Sequence, residues 1–401
     1  MEYTTSKEAV SLLKINGLYA FALSLGGIFL QIFLFTFGGF RALVIYNLAS
    51  LIAILVFYMI AGWLLKYISL KNLLCVGVAG YIALFSVLFM FGERSLTMLI
   101  PLGILKGMGT GVFWAVMNML QYIFTTDDMR HRYFGRQTFW LSLASGIAPL
   151  IGGALISLIG IFVSKNAGYA GVFFLIALLM AGILWEAQKL PDHKGVDFSM
   201  RHVIAHKRTR AWKLSLLQNF FYGLFDFMFS AFIAVLMFLV IREEFVLGVV
   251  SALSALVTAG AGLVASIILT RNRTSFIPAA ALAAVGIVAF TYQQNWWGVI
   301  AFMFAFNMGM PILNIASTKT GFDVMDRSEE HWQKKYHLFF EREFSLNVGR
   351  ILSFAMFLFF INDRNQVAIA GIAIGLLAVI PLLIGFVQYK MERELDGQMV
   401  G

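Results

Sequence analysis

The chain is 401 residues long, 60% hydrophobic and 13% charged, with a mean hydropathy of +0.83, where a soluble domain carries roughly a quarter charged residues. That composition excludes an ordinary soluble enzyme or binding module. A formal net charge of +9 would fit a nucleic-acid partner only if the basic residues formed one patch, and here they follow the loops.

In chain order, residues 1–11 are a short polar lead into a full-length apolar stretch and do not read as a cleavable signal. About twelve apolar stretches follow, at 12–36, 43–65, 72–91, 97–123, 138–162, 168–187, 213–241, 245–270, 276–293, 296–318, 343–361 and 367–389. At about 1.5 Å rise per residue such stretches can cross the ~30 Å hydrocarbon core of a bilayer. The expected fold is all-α and integral to the membrane: about twelve transmembrane helices in two parallel six-helix bundles. Residues 1–188 would form the N-terminal bundle, 189–212 a basic cytoplasmic linker, and 213–401 the C-terminal bundle with a short tail. The lone cysteine, Cys75, lies inside an apolar stretch and cannot make an intrachain disulfide.

The charges set the expected orientation. With a cytoplasmic N-terminus, the outer loops hold only Arg41, Arg94, Lys165, Arg242 and Arg364 of the 30 Lys and Arg. Lys106 and Arg350 fall inside spans, and the rest lie in inner segments. Cationic loops resist translocation, so both termini and the linker are expected in the cytoplasm of a cell-membrane protein. The linker reads KLPDHKGVDFSMRHVIAHKRTRAW. Its Met200, Val203 and Ile204 among basic residues fit an amphipathic helix on an anionic leaflet, a plain tether, or both.

The halves echo each other. One offset places Asn16 on Asn219, Tyr19 on Tyr222, and Ser142, Leu143 and Gly146 on Ser345, Leu346 and Gly349. Duplicated six-helix halves around a midplane site are a recurring transporter plan. Three segments carry a closer resemblance. Gly62-Trp63-Leu64-Leu65-Lys66-Tyr67-Ile68-Ser69-Leu70-Lys71 follows span two, Gly107-Met108-Gly109-Thr110-Gly111 lies in span four, and Ser145-Gly146-Ile147-Ala148-Pro149-Leu150-Ile151-Gly152-Gly153 lies in span five. Together they resemble the loop, G-x-G-x-G and G-P-x-x-G-G motifs of the major facilitator superfamily, over essentially the whole chain. The chain departs from those motifs at Lys66, where an aspartate is usual, at Gly103, where an arginine is usual, and at Ala148, where a glycine precedes the proline. The resemblance implies spans one, four, seven and ten around a central cavity, a gating role for the loop with Lys66 and Lys71, and, from span five, antiport. The glycines Gly107, Gly109, Gly111, Gly146, Gly152 and Gly153, with Pro149, also fit plain close helix packing.

Ionisable groups inside spans are costly and point to function. Asp226 lies near the middle of span seven and Lys106 within span four, at similar estimated depths. Both could face the cavity from opposite halves, or each could pack on a polar neighbour in its own half. At the start of span eleven, Glu343, Asn347 and Arg350 share a helical face. Asn347 could bridge the two charges, or Arg350 could pair with another span, in a charge network at the cytoplasmic gate or in contact with cargo. Asn16, Tyr19, Gln31, Trp114, Asn118, Gln218, Asn219, Tyr222, Asn307 and Asn314 are the other polar or aromatic residues of the presumed cavity spans. Each alone reads as interhelical glue; together they outline a moderately polar, aromatic-lined cavity.

Residues 320–340 read as a long loop, and His331 beside Glu329 and Glu330 lacks a second histidine at ligand spacing. No zinc motif, phosphate-binding loop or nucleophile elbow is present. No metal, cofactor or enzymatic activity is therefore expected. The expected function is secondary transport of a small, amphiphilic molecule by alternating access, coupled to protons through Asp226, with export favoured and a monomer in the bilayer. A lipid or lipid-linked head-group flippase is the alternative within transport, and a non-transporting membrane sensor or assembly factor is the alternative outside it. Single cysteines placed in the 189–212 linker of a Cys75→Ser background should react with a membrane-impermeant maleimide only after the membrane is opened; labelling in intact cells would reverse the orientation.

Overall fold

A computed structural model describes residues 7–124, 127–205, 208–328, 332–360 and 365–397. These are helical almost throughout, with no strand among the described residues. In chain order the helices are α1 (Lys7–Leu64), α2 (Leu70–Phe91), α3 (Leu99–Phe124), α4 (Asp127–Phe162), α5 (Lys165–Ala187) and α6 (Met200–Ala205). They continue with α7 (Arg210–Ile241), α8 (Glu244–Arg271), α9 (Phe276–Tyr292), α10 (Trp296–Ser328), α11 (Trp332–Phe360), α12 (Gln366–Leu377) and α13 (Val379–Gly397).

Among the described residues, ten segments are long and apolar enough to cross a membrane. The difference from twelve stretches lies in two merged segments. A straight helix as long as α1 would reach on the order of 90 Å, but Gly39 at φ 68° interrupts its helical backbone and divides it into two helices. The segment Leu70–Phe124 likewise joins α2 and α3 through a 3-10 turn at Gly92–Met98. Gly92, at φ 51°, ends α2 in a left-handed region that suits glycine. Hydroxyl caps start other helices: Ser164 accepts from Ala167 N–H at the head of α5, and Thr209 from Trp212 N–H at the head of α7.

Two compact units emerge. The first comprises Met1–His202 with Glu244–Ala252 and His331–Phe340. In it α1 packs on α3, α4 and α5, and α2 packs on α3 and α5. Gly103, Gly107 and Gly111 form a stripe along α3 against the second half of α1. A Cβ would come 2.6 Å from the Tyr46 carbonyl oxygen at Gly103, and 2.6 Å from that of Ile54 at Gly111. Gly109 points instead at α2, where a Cβ would meet the Gly77 carbonyl at 3.1 Å. On α4, Gly152 lies against the Phe29 ring, Gly146 is half-buried, and Gly153 approaches the backbone of Phe245. Gly248 returns that approach beside Pro149 and Leu150, so α4 and the start of α8 cross backbone to backbone.

The second unit comprises Val203–Glu243, Leu253–Glu330 and Glu341–Gly401. There α7 packs on α10, α12 and α13, and α9 packs on the same three helices. The unit boundaries thus place the first residues of α8 and α11 with the first unit, whereas a division at the linker would assign all of 213–401 to the second.

Two stretches differ from the sequence reading. Residues 320–340 are not an open loop: α10 runs on to Ser328 and α11 begins at Trp332. His331, Glu329 and Glu330 lie outside the described residues, as do the side chains of Asp127, Asp128, Arg130, His131 and Arg132. The linker is no free tether, and its helix shrinks to Met200–Ala205. Leu190, Val196 and Phe198 are buried, and Phe198 meets the Tyr336 and Phe340 rings at 5.2 and 5.3 Å. Leu70 N–H donates to the His193 carbonyl at 2.9 Å, and Lys71 Nζ lies 3.4 Å from Asp192. The Ser69 hydroxyl, and then the Lys71 ammonium, hold the Asp192 carboxyl below the usual carboxylate range. A depressed carboxylate contributes its stability above the unfolded value of about 4 and loses it as pH falls through the folded value. Protease nicking of the linker should therefore rise below about pH 4, and Asp192→Asn should show raised nicking already at neutral pH. Equal nicking rates of wild type and variant at neutral pH would remove the Asp192 contact as an anchor.

Candidate functional site

The second unit holds a charged pair in apolar surroundings. On α7 and α11 two glycines allow close contact: a Cβ at Gly349 would lie 2.8 Å from Leu224 N, and one at Gly223 3.2 Å from Arg350 N. Asp226 is three residues beyond Gly223, and Arg350 immediately follows Gly349. The close crossing therefore brings the two charges together. Arg350 Nη2 donates to Asp226 Oδ2 at 2.6 Å, and its Nε lies 3.1 and 3.3 Å from the two carboxylate oxygens. This two-pronged geometry matches the planar guanidinium to the carboxylate. The guanidinium also sits 5.1 Å from the centre of the Phe227 ring, a favourable cation–π position. The Asp226 side chain is 33% exposed and that of Arg350 13%.

The helical face predicted on α11 is present. Arg350 Nη1 donates to Asn347 Oδ1 at 3.4 Å, and Asn347 Nδ2 donates to the Glu343 carbonyl at 2.9 Å and carboxylate at 3.3 Å. Arg350 thus has both partners that the spacing left open, the amide bridge and another span. Nearer the linker, Glu341 accepts from Arg208, through Nε at 2.7 Å and through Nη2, and from Trp212 Nε1 at 2.8 Å. The sequence reading did not assign this cluster; its signal was an acid beside a basic segment.

In the first unit, Lys106 Nζ donates to Asn47 Oδ1 at 3.2 Å, and Asn47 Nδ2 donates to Gln31 Oε1 at 2.9 Å. Lys106 also lies 5.1 Å from the centre of the Tyr46 ring. Asn47, missed earlier, is the bridge; an amide in the apolar run of span two was its signal. Tyr46 Oη and Ser50 Oγ are buried without a hydrogen-bond partner among the described residues, two atoms that water or a bound polar group would satisfy. Lys106 and Asp226 are each held by polar neighbours of their own unit.

The remaining predicted residues divide into cross-helix links and local bonds. Asn16 donates to Tyr133 Oη at 3.2 Å, and Asn118 to Tyr58 Oη at 3.1 Å. Tyr19 shares a hydrogen bond of 2.9 Å with Tyr81, which shares one of 2.6 Å with Thr110. Tyr19 stacks on Phe113 and meets Trp114 edge-on. Tyr222 Oη donates to Asn314 Oδ1 at 2.6 Å across α7 and α10. Asn219 and Asn307 donate one turn back along their own helices, to the Ser215 and Met303 carbonyls. Lys71 pairs with Asp192 as described, whereas Lys66 is exposed.

The Major Facilitator Superfamily profile matches residues 12–330. The uncharacterized protein YqgE of Bacillus subtilis (strain 168) is 26% identical over 404 aligned residues, covering 98% of this chain and 92% of that protein. A protein of Geobacillus stearothermophilus named for the sodM 3′ region is 32% identical over 177 residues, 44% of this chain and 81% of that one. Among solved structures, a bacterial homologue of the human drug peptide transporters PepT1 and PepT2 superposes with a TM-score of 0.72 at 12% identity, over 98% of this chain and 99% of that one. The nucleoside transporter NupG gives 0.69 at 11% identity, over 96% and 100%. The Escherichia coli fucose:proton symporter FucP gives 0.63 at 14%, over 95% and 98%. These structural likenesses show the fold. With its apolar segments and this match, the chain is a multi-pass membrane protein.

The bidentate pair generates a stability prediction. Removing one member of a buried pair strands the other charge and commonly costs about 3–5 kcal/mol; the partial exposure of Asp226 places Arg350→Ala at the lower end. In thermal unfolding in detergent, Arg350→Gln combined with Asp226→Asn should recover part of the loss of either single variant. Strictly additive losses would show that the pair contributes no coupling.

Proposed function

The chain belongs to the major facilitator superfamily, and from that premise we propose that it carries a small amphiphilic molecule across the cytoplasmic membrane by proton-coupled alternating access. The reading includes twelve spans in two six-helix halves, both termini in the cytoplasm, and a monomeric carrier. The family and the structural relatives point to transport rather than enzymatic activity.

The Asp226–Arg350 pair carries the proposal. An ionised carboxylate holds the guanidinium with two charge-assisted hydrogen bonds, and protonation of Asp226 removes the charge that makes them strong. Charged hydrogen bonds contribute about 1.5–3 kcal/mol, roughly a tenfold to hundredfold change in a two-state population. Arg350, once released, can turn to Asn347 and Glu343 or take an anionic group of the cargo. In the first unit we assign Lys106, with Asn47 and Gln31, to cargo or coupling, and the Tyr19, Phe113 and Trp114 rings to apolar contact. The proton-dependent relatives are consistent with a proton as the coupling ion. Export rests on the span-five segment with Pro149, Gly152 and Gly153.

The test begins with a thermal-shift screen of dipeptides, nucleosides, sugars and lipophilic cations on purified protein, since a ligand stabilises by RT ln(1 + [L]/Kd). Flux of the hit in proteoliposomes under an imposed pH gradient should fall at least about tenfold in Asp226→Asn, the lower end of the pairing effect. The sign of the gradient that drives uptake gives the direction. Gradient-driven flux unchanged in the variant would overturn the coupling role, and translocation of a fluorescent lipid in place of every screened solute would favour a flippase.

A further inference from the structure

At the junction of the linker and the head of α11, one buried histidine is bonded on both sides by backbone groups of fixed polarity. His337 is 3% exposed. Its Nε2 lies 3.1 Å from the Ser199 backbone nitrogen, and its Nδ1 lies 2.8 Å from the Lys334 carbonyl oxygen. A backbone N–H can only donate and a carbonyl can only accept. Nε2 must therefore present its lone pair and Nδ1 its proton, so the ring makes both bonds only as the neutral Nδ1–H tautomer. An imidazolium carries a proton on each nitrogen. It would keep the bond to Lys334 but set N–H against N–H at Ser199, leaving two donors facing each other in a buried place.

The Ser199 bond fastens two elements. Ser199 lies just ahead of α6, and its carbonyl accepts from His202 N–H at 3.0 Å. On the other side, Tyr336 is fully buried and donates through Oη to the Tyr58 carbonyl at 2.7 Å. Gly62, where a Cβ would collide with the Tyr336 and Phe198 rings, leaves room for both. The head of α11 is thus seated on the linker and on the second half of α1, all within the first unit, whereas Asn347 and Arg350 further along the same helix belong to the second. Ring packing and a phenol bond do not change near neutral pH; a bond to an imidazole does. The titratable and charged neighbours of His337 come from three places. His202 of α6 has its ring centre 4.4 Å away, Lys334 and Glu341 lie one turn behind and one turn ahead on α11, and the exposed Asp197 and Arg201 flank the bonded stretch. Glu341 is already engaged by Arg208 and Trp212.

We propose that His337 is a cytoplasmic proton-binding site that regulates the carrier: neutral, it fastens the linker to the head of α11, and protonated on Nε2 it lets go of Ser199 and loosens that head. The released ring takes up a proton with ordinary imidazole affinity, near a pKa of about 6.5, whereas the fastened ring has no place for one. The bond is therefore complete above that value and is lost as pH falls below it. The Lys71–Asp192 contact, earlier in the linker, holds through this range, so the two anchors release separately. Because α11 carries Arg350, an acidified cytoplasm would act on the helix that holds the coupling pair. The cytoplasmic side and the regulatory purpose rest on the orientation and transport reading above; the proton-dependent bond does not.

The test uses full-length protein in phosphatidylglycerol/phosphatidylethanolamine liposomes, with no cargo. In protein labelled with nitrogen-15 histidine, the His337 resonances are assigned by their loss in His337→Gln or His337→Leu. At alkaline pH they should show Nδ1 protonated and Nε2 bare; a proton on Nε2 there would overturn the proposal. Hydrogen exchange of the 196–202 stretch, corrected for the intrinsic effect of pH, should rise about tenfold between about pH 8 and pH 5.5, at the midpoint of the His337 resonances. His337→Gln offers Ser199 an amide oxygen that does not titrate, so exchange should stay slow at both pH values. His337→Leu should exchange fast at both, and His202→Gln should keep the step. A step that survives in His337→Gln, or one that vanishes in His202→Gln, would overturn the assignment to His337. Failure of Asp226→Asn to alter flux would overturn the coupling reading alone, because neither measurement depends on transport.

Discussion

Everything distinctive about the second unit depends on the need to keep a charge paired in apolar surroundings. A carboxylate or guanidinium inserted alone into hydrocarbon carries a penalty of about 2.5–3.5 kcal/mol on insertion scales. Asp226 and Arg350 avoid that state through three nitrogen–oxygen contacts between 2.6 and 3.3 Å. Such contacts need two helix backbones close enough for an aspartate, the shorter of the two side chains, to reach its partner. Gly223 and Gly349 provide that approach, and a side chain at either would drive α7 and α11 apart. Packing and electrostatics are thus one constraint: the small residues place the charges, and the charges hold the crossing in register.

The first unit meets the same requirement differently. Lys106 donates to a neutral amide, Asn47, which is backed by Gln31, and lies over the face of Tyr46. An amide oxygen and the face of an aromatic ring each stabilise an ammonium. The aromatic cluster of Tyr19, Phe113, Trp114 and Tyr81 adds polar hydroxyls set among apolar rings, which suits contact with an amphiphilic surface. Arg350, by contrast, is held by the carboxylate of Asp226.

Backbone features outside the spans follow ordinary local rules and have consequences for the whole chain. Leu190, Val196 and Phe198 anchor the central linker by burial, while the Lys71–Asp192 contact and the Leu70–His193 hydrogen bond pin it to the start of α2. Glu341 collects Arg208 and Trp212 at the junction where that linker enters α7.

The apolar lengths, the sparse charges and the bias of basic residues were enough to determine an all-helical membrane protein, and three short glycine-bearing segments were enough to identify its family. Those properties are local or compositional, so a linear reading reaches them. The i, i+4 and i+3 spacing of Glu343, Asn347 and Arg350 was legible for the same reason, since a helix fixes its own neighbours. The partner of Arg350 was not, because nothing in the residues around position 350 encodes contact with position 226; the glycine crossing of α7 and α11 decided it. The hydrogen bonds that join Glu392, Gln388, Thr320 and Gln218 escaped for a related reason. Gln388 and Gln218 each look like isolated interhelical glue until α7, α10 and α13 are packed, and only tertiary structure fixes which donor meets which acceptor.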